Sequence, residues 1–583
     1  MDNNTKIIHK DVKNFSKQPN LVDYDQVYKD FSWEKADQEI DYFSDGKINM
    51  AYNIVDRHAN GKNANKIALY FNGKNDKRET YTFKDLAKAT NKFANVLVAN
   101  DVKKGDRVFI FLSTIPERYI SFVGVLKTGA IVSPMFPAFQ EMALLDRLSD
   151  SKAKIVITDC TLFPRIEKIW KDLPHLEKVI IVERGSDSFP EGKNLVSYEK
   201  EMDRVSDEFE TVHLDKNDFS YMLYTSGTTG KPKGVVHSHG DILQAMMTTK
   251  YVLDVHDDDI YWCTADMGWV TGVVYGILGI WALGGTSVIN EERFSPEGWY
   301  QVIQDYKVTV WYTAPTAIRM LMGSEVDPKS FDLSSLRYLA SVGEPLNPEA
   351  IWWALEKIGL PFHDTWWQTE LGGISITNYP VLDIKPGSMG KPFPGVIAGV
   401  VDSNGQEVPV GEEGELALKP ESVSSLMREI WGNKEKYDSY FANGWYLSGD
   451  KAYKDKDGYF WFVGRADDVI KTSGERVGPF EVESALVEYP DVVEAGVIGK
   501  PDPLRGEIIK AFIVLKPDVK GDDELKAKIA KFVKDNLAGN EYPREIEFID
   551  KLPKTRSGKI MRRLLKAREL GLPEGDTSTL EDY

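Results

Sequence analysis

Cysteine and histidine are scarce in this chain. Its 583 residues include two cysteines, Cys160 and Cys263, which cannot cross-link a chain of this size, so we expect a reducing cytoplasm as its location. Among the eight histidines, His237 and His239 come nearest to a zinc spacing, and two ligands do not make a site. The composition therefore predicts neither a disulfide-stabilised secreted protein nor a zinc protein.

Long apolar runs and excess positive charge are also missing. The longest apolar run, from Val270 to Leu283, is Gly-rich and shorter than a membrane span, so we expect it to be buried inside the protein. The first six residues are polar and show no signal-peptide pattern. Lysine and arginine total 72 against 90 acidic residues, a net charge of −18, which disfavours non-specific binding to nucleic acid or anionic membranes.

Alternating helix and strand patterns fill the first two thirds of the chain. Helix-like segments such as 83–99 and 117–128 alternate with apolar strand-like segments such as 105–112 and 155–158. This alternation predicts an α/β body of layered, mostly parallel sheets. From about residue 382, short strands and Gly-containing turns follow one another, which predicts a β-rich subdomain.

A smaller α+β unit is predicted after residue 466. Segments 492–498 and 508–515 are expected to pair antiparallel, and a helix carries Leu525, Ile529, Phe532, Val533 and Leu537 on one face. We therefore divide the chain into a large N-terminal domain, 1–466, with its β-rich part from about 382 to 466, and a small C-terminal domain, 467–583.

The most informative segment is the loop Tyr224-Thr-Ser-Gly-Thr-Thr-Gly-Lys-Pro-Lys-Gly234. Its glycines let backbone N–H groups approach phosphate oxygens, its hydroxyls add donors, and its two lysines add positive charge. It departs from the P-loop template, because Pro232, Lys233 and Gly234 stand where that template has Gly, Lys and Ser or Thr. The alternative is a flexible connector, but four hydroxyls, two lysines and a proline in so short a stretch favour a nucleotide-phosphate site.

The same run resembles the phosphate-loop signature of the acyl-adenylate-forming enzymes. Five further motifs resemble that superfamily in its order: Ser341-Val-Gly-Glu-Pro345, Asp364-Thr-Trp-Trp-Gln-Thr-Glu370, Tyr446-Leu-Ser-Gly-Asp450, Gly464-Arg-Ala-Asp-Asp468 and Pro553-Lys-Thr-Arg-Ser-Gly-Lys559. Each string is weak alone, whereas six in order are specific. Trp269-Val-Thr-Gly272 and the Trp366-Trp367 pair make the chain similar to the acetyl-coenzyme A synthetase branch, in its shorter bacterial form.

The resemblance implies a role for each motif. It makes Lys559, Thr225 and Glu370 the catalytic residues. The implied ATP- and AMP-binding residues are Thr225, Ser226, Gly227, Thr228, Thr229, Gly230, Lys231, Gly343, Glu344, Pro345, Asp364, Thr365, Trp366, Trp367, Gln368, Thr369, Asp450, Arg465 and Arg476. The implied acyl pocket consists of Val270, Thr271, Val342 and Trp367, and the implied coenzyme A contacts are Thr271, Ser473, Gly474 and Lys534. Asp467 is the implied hinge of a mobile C-terminal domain.

Metal ligands and a modifying partner also follow from the resemblance. ATP arrives with Mg²⁺, which takes one or two protein carboxylates, and Glu370 is the candidate. Relatives hold a second, structural Mg²⁺ through backbone oxygens that match Val487, Tyr489 and Val492. Relatives are also switched off by acetylation of the lysine that matches Lys559, which implies a lysine acetyltransferase and a deacetylase as partners.

From the residues alone, structural roles remain possible for several of these side chains. A carboxylate accepts both hydroxyls of a ribose, but Asp450 could equally cap a turn. Arg465 and Arg476 could form surface ion pairs, and Lys559 could belong to a solvated basic run. Both tryptophans of the Trp366-Trp367 pair could be core packing. In each case only the resemblance favours the ligand-binding role.

Together these observations predict an AMP-forming acetate–CoA ligase that uses ATP, Mg²⁺ and coenzyme A. Since neighbouring side chains of an extended chain point opposite ways, one indole can line the core while Trp367 truncates the acyl pocket. The alternative is a ligase for propionate or another short acid. A luciferase-like oxygenase and a carrier-loading adenylation module fit less well, because the pocket is small and the chain shows no carrier domain.

Overall fold

Three β-sheets organise the part of the chain that the structure describes. The computed structural model describes residues 7–12, 15–184, 189–226, 232–466, 468–472, 475–503, 505–537, 542–555, 559–575, 577 and 580. Among the predicted site residues, Gly227 to Lys231, Asp467, Ser473 and Gly474 lie outside these ranges, as do the side chains of Ser226 and Arg476.

Fourteen described strands form the largest sheet, which is parallel in one half and antiparallel in the other. Its strands, in spatial order, are Ala398–Val401, Gly414–Leu418, Trp445–Lys454, Phe460–Arg465, Ser388–Pro392, Ile376–Thr377, Phe362–Trp366, Tyr338–Val342, Val310–Thr313, Ile260–Cys263, Thr286–Asn290, Ile67–Asn72 and Arg78–Thr82, and Phe441–Ala442 pairs with Trp445–Lys454. The turn-rich segment after residue 382 is β-rich as predicted, and its strands continue the same sheet.

The second sheet contains eight of the described strands. Their order is Glu429–Ile430, Pro232–Ser238, Phe219–Ser226, Ile131–Pro134, Arg107–Phe111, Ile155–Asp159, Lys178–Val182 and Leu195–Ser197. Its middle is parallel, whereas Phe219–Ser226 and Pro232–Ser238 form an antiparallel hairpin. The loop predicted to bind phosphate is therefore the connection of a hairpin within a buried sheet.

The third sheet is smaller and follows the largest one in the chain. Its order is Glu475–Val477, Ile470–Thr472, Gly506–Leu515 and Val492–Asp502, and Glu545–Phe548 pairs with Gly506–Leu515. Val492–Asp502 and Gly506–Leu515 are antiparallel, as the sequence predicts. The helix Asp523–Asn536 buries Ile529 and Val533 against this sheet. A domain boundary at residue 467 stays a prediction.

Helices cover the sheets and start at residues suited to that position. Thr82 and Asp85 form a capping box at the start of Phe83–Ala99, where each satisfies a free backbone N–H group. The α-helices of the described residues are Tyr24–Asp30, Trp33–Ala36, Arg57–Ala59, Phe83–Ala99, Pro116–Lys127, Glu141–Asp150, Phe163–Ile169, Tyr198–Arg204, Ile242–Tyr251, Val270–Val273, Gly279–Ala282, Pro296–Tyr306, Pro315–Met322, Pro348–Lys357, Lys434–Asp438, Pro479–Val487, Asp523–Asn536 and Arg562–Leu570.

The longest apolar run is buried, as predicted. It forms one continuous helical stretch in which Val270–Val273 and Gly279–Ala282 flank a π-helical turn, Val274–Leu278. Such turns widen a helix locally and are frequent at functional sites. No helix in the described ranges combines the length and apolar character needed to cross a membrane. The predicted fold class, a large α/β domain with a small α+β unit after it, is confirmed.

Candidate active site

The hairpin in the second sheet brings Thr225, at the start of the phosphate loop, opposite the second residue of the return strand. Thr225 pairs with Lys233, and both backbones are held by the ladder. Thr225 Oγ1 is buried and has no hydrogen-bond partner among the described residues. An unsatisfied buried hydroxyl costs free energy, so this atom is suited to bind a polar ligand.

Lys233 meets Glu370 at the other side of the loop. Lys233 Nζ donates to Glu370 Oε1 at 2.8 Å, and the Tyr440 hydroxyl donates to the same oxygen at 3.0 Å. Burial acts to raise the pKa of Glu370, but Lys233 overrides it, so the pKa lies below its usual value. Glu370 is therefore an ionised carboxylate held beside the phosphate loop.

The segment from Asp364 to Glu370 leaves the parallel half of the largest sheet at the carboxyl end of strand Phe362–Trp366. The Ser341 hydroxyl donates to Asp364 at 2.7 Å, and burial raises the pKa of Asp364 to about 7. Thr365 donates to the carbonyl of Ser341 at 2.7 Å. His237 bonds the carbonyl of Thr369 at 2.8 Å. These hydrogen bonds at Asp364, Thr365 and Thr369 hold the segment to Ser341 and His237.

The predicted ribose carboxylate is at the centre of a hydrogen-bonded cluster. Asp450 is buried and accepts from Trp366 Nε1 at 2.9 Å, from Gln368 Nε2 at 3.2 Å and from Arg465 at 2.7 Å. Gln368 in turn accepts from the Tyr446 hydroxyl at 2.8 Å. Three donors from two other motifs, Trp366, Gln368 and Arg465, therefore bind one carboxylate.

Trp367 points away from this cluster, as expected for a neighbour in extended chain. Its ring lies edge-to-face on Tyr275 with centroids 5.1 Å apart, and its Nε1 lies 3.4 Å from the Tyr312 hydroxyl. Trp367 is half-buried and packs on the main core. The other predicted pocket residues, Val270, Thr271 and Val342, are buried.

The pocket segment has little freedom to move. Arg118, which is fully buried, holds Asp266 with two hydrogen bonds of 2.7 and 2.9 Å just before Val270. At Gly272 a Cβ atom would lie 2.3 Å from the carbonyl oxygen of Asp266, so only glycine fits there. The backbone around Thr271 is therefore fixed by close packing.

The predicted adenine turn follows strand Tyr338–Val342. Gly343 is exposed, has φ +94°, and would have nothing within 4 Å of an added Cβ, so the requirement for glycine comes from the backbone conformation. Glu344 accepts hydrogen bonds of 2.7 Å from both Thr316 and Arg319. Pro345 is half-buried beside it. The turn thus presents an open surface beside a fixed carboxylate.

Lys559 is held by its backbone to Thr555, four residues earlier in the chain. Its backbone N–H donates to Thr555 Oγ1 at 3.1 Å, and its carbonyl accepts from Thr555 N–H at 2.8 Å. The residue stays in contact with solvent, yet the protein packed around it lowers its pKa. Arg465 adds to the lowering, while Asp450 and Asp468 act in the opposite direction. The ammonium is thus within electrostatic reach of the predicted ribose carboxylate.

The other lysine of the same motif is held elsewhere. Lys554 is buried and forms an ion pair with Glu494. Arg562, just beyond Lys559, pairs with Glu483 and lies 3.8 Å from Asp468. Of the two lysines in this motif, Lys559 is therefore the one near Asp450 and Arg465.

Some predicted residues lie apart from this cluster. Lys534 is exposed, and its Nζ is over the ring of Tyr542 at 5.2 Å. Arg476 is in strand Glu475–Val477, opposite Lys471. Val487, Tyr489 and Val492 share the turn after helix Pro479–Val487, and the Tyr489 carbonyl accepts from Val492 N–H at 3.0 Å. The roles of these residues in ligand binding stay predictions.

The oxygen ligands beside the phosphate loop suit the Mg²⁺ that the resemblance implies. No cluster of three His, Cys, Asp or Glu side chains suited to a metal ion occurs in the described ranges. Mg²⁺ that arrives with phosphates needs only one or two carboxylates, and the ionised Glu370 beside the phosphate loop fits that requirement.

Tyr440, Tyr446, Tyr275 and Tyr312 contact predicted site residues, and the sequence analysis did not single out their side chains. Tyr446 stands out in the sequence only as the first residue of a motif. A single tyrosine belongs to no spacing pattern that would indicate a ligand-binding role. Because most buried tyrosines are packing residues, the sequence alone favours that role for each of them. Only their tertiary contacts reveal them.

Comparison with known proteins agrees with this arrangement. Residues 55–431 match the family described as AMP-binding enzyme, and residues 481–559 match the AMP-binding enzyme C-terminal domain. An acetyl-coenzyme A synthetase of Bacillus subtilis (strain 168) is 54% identical over 97% of this chain and 98% of its own length. An acetyl-coenzyme A synthetase of Methanothrix thermoacetophila is 44% identical over 92% of this chain and 86% of its own.

Solved structures show the same fold. A Brucella canis acyl-CoA synthetase has a TM-score of 0.74 and 34% identity, and covers 94% of this chain and 99% of its own. An anthranilate CoA ligase in complex with anthranoyl-AMP has a TM-score of 0.82 and 32% identity, and covers 90% and 98%. With both family models matched along the chain and a relative of 54% identity over nearly its whole length, this chain belongs to the AMP-binding enzyme family.

Proposed function

We propose that the chain is an AMP-forming acetate–CoA ligase. It converts acetate, ATP and coenzyme A into acetyl-CoA, AMP and diphosphate through an enzyme-bound acetyl-adenylate. The observation that carries the proposal is the cluster around Asp450, in which a buried carboxylate is held by Trp366, Gln368 and Arg465 beside the ammonium of Lys559. This arrangement suits a ribose and the phosphate next to it.

In the first half-reaction a carboxylate oxygen of acetate attacks the α-phosphorus of ATP. The new O–P bond forms as the bond from the α-phosphorus to the bridging oxygen breaks, and diphosphate leaves. Charge develops on the phosphoryl oxygens, and the ammonium of Lys559 and the hydroxyl of Thr225 stabilise it. Because these donors are fixed before the reaction, little reorganisation is needed.

Glu370 is the residue that would hold Mg²⁺, and the ion would neutralise phosphate charge when bound. Until ATP arrives, Lys233 compensates the carboxylate. Val487, Tyr489 and Val492 form the turn proposed for a second Mg²⁺.

In the second half-reaction the sulfur of coenzyme A attacks the acyl carbon of the adenylate. The C–S bond forms, the C–O bond to AMP breaks, and the thiol proton is lost to solvent. No ammonium is needed at the α-phosphate in this step. We propose that the C-terminal domain then rotates about Asp467, moves Lys559 away, and brings Ser473 and Gly474 towards the acyl pocket.

Acetate is the acid that the pocket favours. Trp367 contacts Tyr275 and Tyr312, whereas Trp366 donates to Asp450. The indole of Trp367 then limits the length of the acyl chain. Excluding one methylene by such a wall discriminates by about 1–3 kcal/mol. The curated relatives named acetyl-coenzyme A synthetase support the same acid.

Regulation and location complete the proposal. Acetylation of Lys559 by a lysine acetyltransferase, and its removal by a deacetylase, would switch the first half-reaction off and on. A cytoplasmic location rests on the low cysteine content.

The test is an AMP-release assay with acetate, propionate and butyrate, each with and without coenzyme A. We expect acetate to give the highest kcat/KM, and sustained AMP release to require coenzyme A. A preference for propionate would support the alternative acid, and turnover with none of the three acids would contradict the proposal.

A further inference from the structure

Tyr440 is the one aromatic side chain outside the six motifs that contacts both charged groups beside the phosphate loop, within the described part of the chain. Its hydroxyl donates to Glu370 Oε1 at 3.0 Å and also contacts Lys233 Nζ. The ammonium of Lys233 lies 4.7 Å from the centroid of the Tyr440 ring. One residue therefore contacts both members of the Lys233–Glu370 ion pair.

The direction of these hydrogen bonds is fixed by chemistry. An ammonium only donates and an ionised carboxylate only accepts. The hydroxyl between them therefore accepts from Lys233 and donates to Glu370. This leaves Tyr440 fully satisfied and gives Glu370 two donors on the same oxygen.

Tyr440 is itself held firmly. Its ring stacks on Tyr446 at 5.8 Å with planes 5° apart, and its carbonyl accepts from Leu447 N–H at 2.8 Å. The Tyr446 hydroxyl donates to Gln368, which donates to Asp450. A continuous chain of contacts, through Tyr440, Tyr446 and Gln368, thus joins the Lys233–Glu370 ion pair to Asp450.

We propose that Tyr440 is a positioning residue that holds Glu370 and Lys233 for the β- and γ-phosphates of ATP. When the phosphates enter, Lys233 turns from Glu370 to the phosphate oxygens, and the Tyr440 hydroxyl remains as the donor that keeps Glu370 in place. The proposal rests on the nucleotide site of the proposed function. It adds a residue that none of the six motifs contains.

The test is calorimetric binding of two nucleotides to the full-length protein in excess Mg²⁺. One is AMP, and the other is an ATP analogue with a methylene bridge between its α- and β-phosphates, which cannot react. In Tyr440→Phe we expect the analogue to bind roughly three- to tenfold more weakly, the effect of losing about one hydrogen bond, while AMP affinity stays unchanged. A purely structural role would weaken both nucleotides or neither.

Tyr437→Phe is the matched control. Tyr437 belongs to the adjacent helix, Lys434–Asp438, and packs against Phe441 with ring centroids 5.0 Å apart. A double-mutant cycle with Glu370→Gln adds a second readout, because Tyr440→Phe should have little further effect once the carboxylate is gone. Unchanged analogue affinity in Tyr440→Phe, or an effect that persists undiminished in the Glu370→Gln background, would overturn the proposal.

The acetate-dependent AMP release of the wild-type protein is measured on the same preparation. Failure of that activity would count against the proposed function, whereas a wild-type enzyme that is active and a Tyr440→Phe variant that binds the analogue normally would count against Tyr440 alone.

Discussion

Trp366 Nε1 donates a hydrogen bond of 2.9 Å to Asp450 Oδ2, which joins the end of a parallel strand to an antiparallel strand of the same sheet. A buried indole N–H needs an acceptor, and a buried carboxylate needs donors. The bond satisfies both and fixes the carboxylate that we propose to bind the ribose. Trp367, the next residue, faces the proposed acyl pocket.

Trp366→Phe should therefore weaken ATP binding without changing acid preference. The ring is kept and one donor to Asp450 is lost. A hydrogen bond to a charged group contributes about 1.5–3 kcal/mol, but Gln368 and Arg465 still hold Asp450, so we expect ATP KM to rise several-fold to roughly tenfold. Steady-state kinetics with varied ATP and varied acetate measure this. Trp352→Phe, which removes a buried indole N–H on helix Pro348–Lys357, is the control, and an equal effect there would contradict the role of Trp366.

Lys559→Ala should abolish formation of the adenylate and spare the thioester step. The ammonium acts only on the first transition state, and losing a fixed charge there costs on the order of 3 kcal/mol or more. Acetate-dependent exchange of diphosphate into ATP measures the first step, and acetyl-CoA formation from supplied acetyl-AMP measures the second. Lys566→Ala is the control for loss of positive charge. Lys566 belongs to the adjacent helix, Arg562–Leu570, and pairs with Glu507. Equal loss of both steps in Lys559→Ala would exclude the proposed role.

Acetylation of Lys559 should have the same effect as its removal, because the modification neutralises the ammonium. The residue is exposed to solvent, so a modifying enzyme can reach it. Desolvation of its amine by the surrounding protein lowers its pKa, which raises the fraction of neutral amine that can attack an acyl donor. Protein acetylated quantitatively at this position, checked by mass spectrometry, should keep only the thioester step. Full activity of that protein in the overall reaction would rule the switch out.

Trp367→Gly should move acid preference from acetate towards butyrate or longer acids. Each methylene that the opened pocket buries contributes about 0.8 kcal/mol of binding, while ATP affinity stays nearly constant because Asp450 and its donors are untouched. The measurements are kcat/KM for two-, three- and four-carbon acids and a melting curve on the same sample. A variant that melts early and still prefers acetate would show that Trp367 is a packing residue, and Trp366 would be tested next.

Stability should depend on pH through Glu349, which lies against Glu488. Burial and the neighbouring carboxyl group raise the pKa of Glu349 to about 8. The same surface contains a 2.9 Å hydrogen bond from Asn347 to Ser484, which joins helix Pro479–Val487 to the turn before helix Pro348–Lys357. The folded pKa exceeds the unfolded one, so folding takes up a proton, and the associated stability is complete below the unfolded pKa and is lost as pH rises to about 8.

Glu349→Gln removes this titration. The variant should match the wild type near pH 4 and become more stable than it, by several kcal/mol, as pH rises towards 8. Thermal melts across that range measure the difference. Glu356→Gln on the same helix, whose side chain is largely exposed, is the control. A constant difference between Glu349→Gln and wild type at every pH would contradict the assignment.

The sequence by itself determined the family, the order of the motifs and the class of fold. Six short motifs are each weak, but their occurrence together in the order of the superfamily is specific. Local patterns also located most elements: the helix Phe83–Ala99 follows from its apolar spacing and its Thr82 cap, and the antiparallel pair Val492–Asp502 and Gly506–Leu515 follows from two β-branched runs. These signals depend on residues near one another in the chain.

Only the tertiary structure decided which side chains share a contact. Asp450 could have been a turn cap on sequence evidence, and its donors come from residues 82, 84 and 15 positions away. Tyr440 reaches Glu370 across 70 residues and Lys233 across 207. Such pairs are fixed when the hairpin of one sheet packs beside the antiparallel strands of another. No local pattern encodes them, because the free energy that holds them comes from burial and from satisfying polar groups across the whole fold.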